Sequence, residues 1–292
     1  MKPSKVAQKF GAHLSVAGGL HLAFDEAEQI GCDCLQIFVK NQRQWVARPI
    51  TDEQARLFKD AQRKSGVSPV VAHASYLLNL ASPEKANRDK SRDALIDELH
   101  RCEALGIEDL IIHPGAHMGS GIEAGIAAIA DSLDQVHAAT AGFTCRVLLE
   151  STAGQGTTIG HEICQLGEII KQVRQSERLG VCIDTCHVFA AGYDIRDRDD
   201  YERLLDEIKR HVDIDRVKCI HTNDSKGDCG SRLDRHEHIT KGKIGKSGFA
   251  NILNDPRLAH VPRILETPKG TDGRGVNLDR VNINRMKKLI RP

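Results

Sequence analysis

Residues 180–194 read GVCIDTCHVFAAGYD. The apolar run Val181–Cys182–Ile183 has the character of a buried strand, and such a strand normally ends in turn chemistry. This one ends in Asp184, with His187 three residues further on, and both side chains are competent to bind a metal. Working outward, the same sentence structure recurs. Short apolar runs occupy 9–16, 34–40, 69–75, 109–115, 145–151, 180–187, 217–224 and 263–269, and helical periodicity falls near 20–30, 51–65, 84–105, 121–140, 161–177, 199–211, 247–254 and 277–290. Thr51 before Asp52–Glu53, and Ser82 before Pro83–Glu84, have the composition of helix starts. Strands that are apolar throughout and alternate with helices predict a parallel sheet buried on both faces. Eight such units predict a closed (β/α)8 TIM barrel. A doubly wound open sheet is disfavoured, because "GAHLSVAGG" lacks the GxGxxG spacing after the first strand. With no Pro/Ser-rich divider, residues 1–292 read as one barrel domain, and the polar insert 225–248 reads as a functional loop after strand seven.

Bulk composition narrows the class. The chain has 292 residues, 28% charged and 40% hydrophobic, with a formal net charge of +1. No apolar stretch reaches the roughly 20 residues of a membrane span, and "MKPSKVAQKF" has no signal-peptide run, so a cytoplasmic protein with no membrane partner is expected. The charge neither demands nor excludes nucleic acid, which would have to be recognised by local patches. Nine cysteines without paired CxxC spacing read as core residues and not as a disulfide or zinc framework.

The polar residues at the strand ends carry the function. Strands three to eight finish on His73, His113, Glu150, Asp184 with His187, His221 and Glu266, and the insert adds Asp234 and His236. Any one of these has an ordinary reading as a cap or ion-pair partner. Nine together, on the C-terminal rim where barrel enzymes keep their chemistry, would be costly to bury without cations. Five imidazoles with four carboxylates suit zinc, with manganese or iron admissible and calcium or magnesium disfavoured; at three or four ligands each they divide among two or three ions. His13 and His117 could approach the rim as supporting groups, and His238, just after the DRH motif, reads either as a more distant support or as a solvent-facing residue. His100, His137, His161, His211 and His260 read as ordinary surface or packing residues.

The motifs "HASYLLNL", "HPGAH", "ESTAGQG", "GVCIDTCHVFAAGYD", "HTNDSK", "GSRLDRH" and "ILETP", with "GAHLSVAGGL" and "KNQRQW", closely resemble the endonuclease IV family of zinc-dependent apurinic/apyrimidinic endonucleases. The likeness runs from about residue 10 to 290. It implies three zinc ions per chain, with manganese or iron possible at one site: His73, His113 and Glu150 on the first, Glu150 bridging to a second completed by Asp184, His221 and Glu266, and His187, Asp234 and His236 on the third. Glu150 and Glu266 would be the catalytic carboxylates. It also implies that Arg43, Tyr76 and Leu77 contact double-stranded DNA at an abasic site, that Arg232 contacts phosphate, and that the protein is a monomer. The implied reaction is hydrolysis 5′ to the abasic site, with 3′-phosphodiesterase activity. Ala74, Ser151 and Lys241 depart from the usual residues (Asp, Asn and an acidic residue), which bears on ligand tuning. A metal-dependent sugar isomerase or epimerase on the same barrel would leave the third trio unexplained, and a non-catalytic DNA-damage binding module would close the coordination positions that an enzyme leaves open.

Overall fold

The apolar runs fold as short parallel strands, fewer residues long than the runs themselves. A computed structural model describes residues 7–291. Its barrel strands are β1 (Phe10–His13), β2 (Cys34–Phe38), β3 (Val70–His73), β4 (Asp109–Ile112), β5 (Arg146–Glu150), β6 (Leu179–Asp184), β7 (Val217–His221) and β10 (Arg263–Leu265). They close in the order β1-β10-β7-β6-β5-β4-β3-β2, each pair parallel. Between β7 and β10 the insert folds back as an antiparallel ribbon of β8 (Asp224–Ser225) and β9 (His236–Glu237).

The helices follow the expected periodicity: α1 (Leu22–Ile30), α2 (Asp52–Ser65), α3 (Lys85–Leu105), α4 (Ile122–Ala139), α5 (Ile163–Gln172), α7 (Arg198–His211), α8 (Gly245–Leu253) and α9 (Leu278–Leu289). Thr51 caps α2 with a capping box shared with Gln54, which satisfies two otherwise orphaned main-chain groups. Ser82 acts slightly differently from the expected start: its hydroxyl accepts from Glu84 N at 3.3 Å, and Glu84 is the N-cap of α3. The sequence reading missed one helix, α6 (Thr185–Ala191), which begins directly where β6 stops. No helix among the described residues is long and apolar enough to cross a membrane.

Strand side chains alternate between two faces. Outward residues such as Val70, Ala72, Leu110, Ile112, Val147 and Leu149 pack with Ile129, Leu133, Leu166 and Ile169 of the helices in the main core. Inward residues form a separate plug inside the barrel: Cys34, Val71, Ile111, Leu148, Cys182, Cys219 and Ile264. Gly11 occupies the corresponding position of β1. There a Cβ would stand 1.9 Å from the carbonyl oxygen of Cys34, so β1 approaches β2 too closely for any side chain. All nine cysteines are free, and seven of them are buried.

Candidate metal centre

Two residues beyond each plug residue the same face of the strand turns polar. Gly11 is followed by His13, Cys34 by Gln36, Val71 by His73, Ile111 by His113, Leu148 by Glu150, Cys182 by Asp184, Cys219 by His221 and Ile264 by Glu266. The period of two fixes this: once the plug faces inward, so does the next residue but one. His187 and the Asp234–His236 pair then arrive from above. The expectation that His187 lies on the strand is corrected by the structure. Asp184 ends β6 as the N-cap of α6, its Oδ1 accepts from His187 N at 2.9 Å, and His187 is carried on the first turn of that helix. Asp184, Thr185 and His187 are buried, so the chain must satisfy its main-chain groups here by an abrupt helix start.

The rim residues gather into three groups whose candidate ligand atoms lie within 4.8 Å of one another: His73, His113 and Glu150; Glu150, Asp184, His221 and Glu266; and His187, Asp234 and His236. Glu150 is fully buried and divides its two oxygens. Oε2 lies 3.0 Å from His73 Nε2 and 3.1 Å from His113 Nε2, while Oε1 lies 2.8 Å from His221 Nδ1. His221 Nδ1 is also 3.2 Å from Glu266 Oε2 and 3.8 Å from Asp184 Oδ2. Asp234 Oδ1 lies 3.1 Å from His187 Nε2 and 3.3 Å from His236 Nε2.

In three of the five rings Nδ1 is held from outside. His73 Nδ1 donates to Ala74 O at 2.8 Å, His187 Nδ1 to Ser151 O at 2.8 Å and His236 Nδ1 to Glu266 O at 3.1 Å. A ring that gives its Nδ1 proton to a carbonyl turns a bare Nε2 lone pair inward when neutral, the arrangement that metal ligation needs. The buried Nε2 atoms of His187 and His236 have no hydrogen-bond partner, although Asp234 is within reach in distance. Their lone pairs share a space that a cation fills and a single proton does not. These residues therefore fit the metal that the resemblance implies.

Electrostatics say the same. Burial by itself lowers an imidazole pKa, but here the carboxylates outweigh it. His73 is raised by its hydrogen bond to Glu150, His187 and His221 are raised well above the usual value by Asp184 and Glu266 respectively, and His236 is raised to about 9 by Asp184 and Asp234. Burial would likewise raise the carboxylates, yet the surrounding imidazoles hold Glu150, Glu266 and Asp234 far below the ordinary range. The pocket is built for positive charge among fixed carboxylates, whichever cation supplies it. Cys186 also faces Asp184 and His236. Burial pushes its thiol up to about 12, so it stands as a neutral neighbour.

The chain has relatives along almost its whole length. The xylose isomerase-like TIM barrel family model matches residues 24–288. A protein of Chloroflexus aggregans named probable endonuclease 4 is 48% identical over 283 residues, covering 97% of this chain and 98% of its own. The crystal structure of endonuclease IV from Thermus thermophilus superposes with a TM-score of 0.83 at 35% identity, covering 96% of this chain and 98% of that one. The chain belongs to the endonuclease IV family. A D-tagatose 3-epimerase-like protein, at 17% identity and a TM-score of 0.74, shares the fold alone.

In this member of the endonuclease IV family, groups outside the nine ligands hold the rim in place, and of these the sequence reading passed over Asn223 and Gln36 but named Ser151. Asn223 donates to Asp184 Oδ2 at 2.7 Å and accepts from Glu266 N at 2.8 Å. Ser151 Oγ accepts from Asp184 N at 3.0 Å. Gln36 bridges His221, Glu266 and His13. The available signal was polarity out of place: an amide inside the run CLQIF, and another two residues after His221. His13 does support the rim, through Gln36 and Glu266. His117 instead accepts from Gly119 N and Gly121 N within its own loop, and His238 pairs with Asn282.

Arg43, Tyr76, Leu77 and Arg232 are all on the surface. The Tyr76 ring stands 5.4 Å from that of His73 and 5.7 Å from that of His113, directly beside the first group. The loops carrying Arg43 and Tyr76 are braced together from beneath. Ser75 Oγ donates to Gln42 O at 2.6 Å, Ser75 N donates to Glu98 Oε1 at 3.2 Å, and Glu98 pairs with the buried Lys40 at 3.4 Å.

Proposed function

We propose that this chain is a metal-dependent endonuclease acting at abasic sites in double-stranded DNA. It hydrolyses the phosphodiester 5′ to the lesion, leaving a 3′-hydroxyl and a 5′-deoxyribose phosphate, and removes 3′ blocking groups at the same site. The observation that supports this most is the convergence of three ligand groups at one end of the barrel, two of them sharing the carboxylate of Glu150. His73, His113 and Glu150 would hold one ion. Glu150, Asp184, His221 and Glu266 would hold a second, and His187, Asp234 and His236 a third. Zinc suits this donor set, with manganese or iron admissible at one position. Divalent ions so held supply Lewis acidity to phosphoryl oxygens and bring the pKa of water close to neutrality.

The chain's own groups do the rest. Glu150 and Glu266, kept as carboxylates by their imidazole neighbours, orient the attacking water towards phosphorus. Asp234, whose side chain is 42% exposed, places the third group on the side open to an incoming strand. Arg43, Tyr76 and Leu77 stand exposed and fill the stack around the lesion, while Arg232 neutralises phosphate. Selectivity follows from stacking, because a nucleotide without a base has little stacking to lose when it is drawn out of the duplex. The enzyme works as a monomer in the cytoplasm. Incubation with duplex DNA carrying one abasic analogue should give a single nick 5′ to the analogue, abolished by chelator and restored by zinc. Tight binding without any nick in the metal-replete protein would contradict the reading.

A further inference from the structure

Gln36 lies in the middle of β2 and is fully buried. An amide there loses its hydration, at a cost of several kcal/mol unless each polar atom finds a partner. Its partners are all at the metal layer. Nε2 lies 2.7 Å from Glu266 Oε1 and 2.8 Å from His13 Nδ1, and Oε1 lies 2.7 Å from His221 Nε2. The chemistry of the partners fixes which end of the amide is which. A carboxylate only accepts, so the NH2 group must face Glu266, and its second hydrogen goes to His13. The oxygen then faces His221 and can only accept, so His221 carries its proton on Nε2. Its Nδ1 lone pair is thereby turned towards Glu150 and Glu266.

This is the reverse of His73, His187 and His236, which give Nδ1–H to main-chain carbonyls and look inward through Nε2. His221 needs an acceptor at its far nitrogen, and a side chain from another strand supplies it. Resting on the metal reading above, we propose that Gln36 is a positioning residue: it sets the tautomer of His221 and the rotamer of Glu266, so that both present to the same cation.

The test uses the full-length, zinc-saturated protein labelled with nitrogen-15 at histidine, with Gln36→Met as a size-matched apolar variant and Gln36→Glu as an isosteric one that keeps an acceptor. Circular dichroism and thermal melting check that each is folded. In the unaltered protein one imidazole should show a slowly exchanging Nε2–H with a metal-bound Nδ1. That signal should persist in Gln36→Glu and vanish in Gln36→Met. Gln36→Met should also surrender one zinc equivalent to a competing chelator at roughly ten- to a hundred-fold lower concentration, the range expected when a ligand's outer partner is lost. An unchanged tautomer signal together with unchanged zinc retention in folded Gln36→Met overturns the proposal alone. If Gln36→Met does not fold, an unchanged tautomer signal together with unchanged zinc retention in folded Gln36→Leu overturns it. Failure of the unaltered protein to retain any zinc overturns the metal reading itself, and the proposal with it.

Discussion

Two layers of the barrel interior lie two residues apart on the same eight strands and have opposite chemistry. The lower one is Cys34, Val71, Ile111, Leu148, Cys182, Cys219 and Ile264, dry and uncharged. The upper one is His13, Gln36, His73, His113, Glu150, Asp184, His221 and Glu266, nearly as buried but dense with titratable groups. The lower layer makes the upper one possible: it closes the floor, keeps water from beneath, and fixes the inward register of every ligand above it. The barrel thus separates stability from chemistry by one pleat of the strand.

Substitutions on one strand, β5, break that separation most sharply. Glu150→Ala removes the oxygen atoms shared by two ligand groups. Incision should fall by more than about a hundred-fold, since loss even of a ligand's outer partner costs roughly 10–100-fold, and the metal content should drop in the same sample. Leu148→Ala, two residues earlier, should cost about 2–5 kcal/mol of stability in a denaturant titration and leave the metal content of the folded protein intact. If Leu148→Ala strips metal while the fold holds, the two layers are not separable as described.

A smaller effect is expected at the brace beneath the rim loops. Glu98→Gln weakens the Lys40 pair and the link to Ser75 while touching none of the metal groups. It should raise KM for abasic duplex several-fold, with kcat and metal content near those of the unaltered enzyme. An unaltered KM would remove the brace from DNA recognition.

The smallest effect contrasts two kinds of buried imidazole. At the rim, His73, His187, His221 and His236 are raised by carboxylates that outweigh burial. His137 on α4, also buried, has no hydrogen bond at either ring nitrogen and is lowered to about 4 by desolvation and then by Arg178. Its folded pKa lies below the ordinary 6.5, so the unfolded chain binds a proton first as the medium acidifies. Stability is therefore lost as pH falls from about 6.5 towards 4. His137→Leu should flatten that acid limb by roughly 1 kcal/mol after allowance for solvent screening. A limb of unchanged slope would show that His137 does not titrate in this window.

The barrel was legible in the sequence because its signals are repeated. Eight apolar runs and eight amphipathic ones reinforce each other, and the ligand types stand out where the strands end. The departures have local causes. α6 went unseen because Asp184 turns the chain as an N-cap, and a seven-residue helix fused to a strand leaves no periodicity to read. Gln36 and Asn223 were hidden for the opposite reason. A single amide in a strand-like stretch is indistinguishable from packing until its partners, which come from strands up to 230 residues away, are placed beside it. Ser151 works through its hydroxyl and its main-chain carbonyl, and the second of these leaves no trace in residue type.

The most direct test of the central claim is the metal content of the purified protein after zinc saturation and removal of loosely held ions, measured beside incision of abasic duplex. About three equivalents per chain are expected, with incision disappearing as they are withdrawn by chelator and returning as they are replaced. A folded protein that retains no metal, or one that nicks abasic DNA at full rate after complete metal removal, would contradict it.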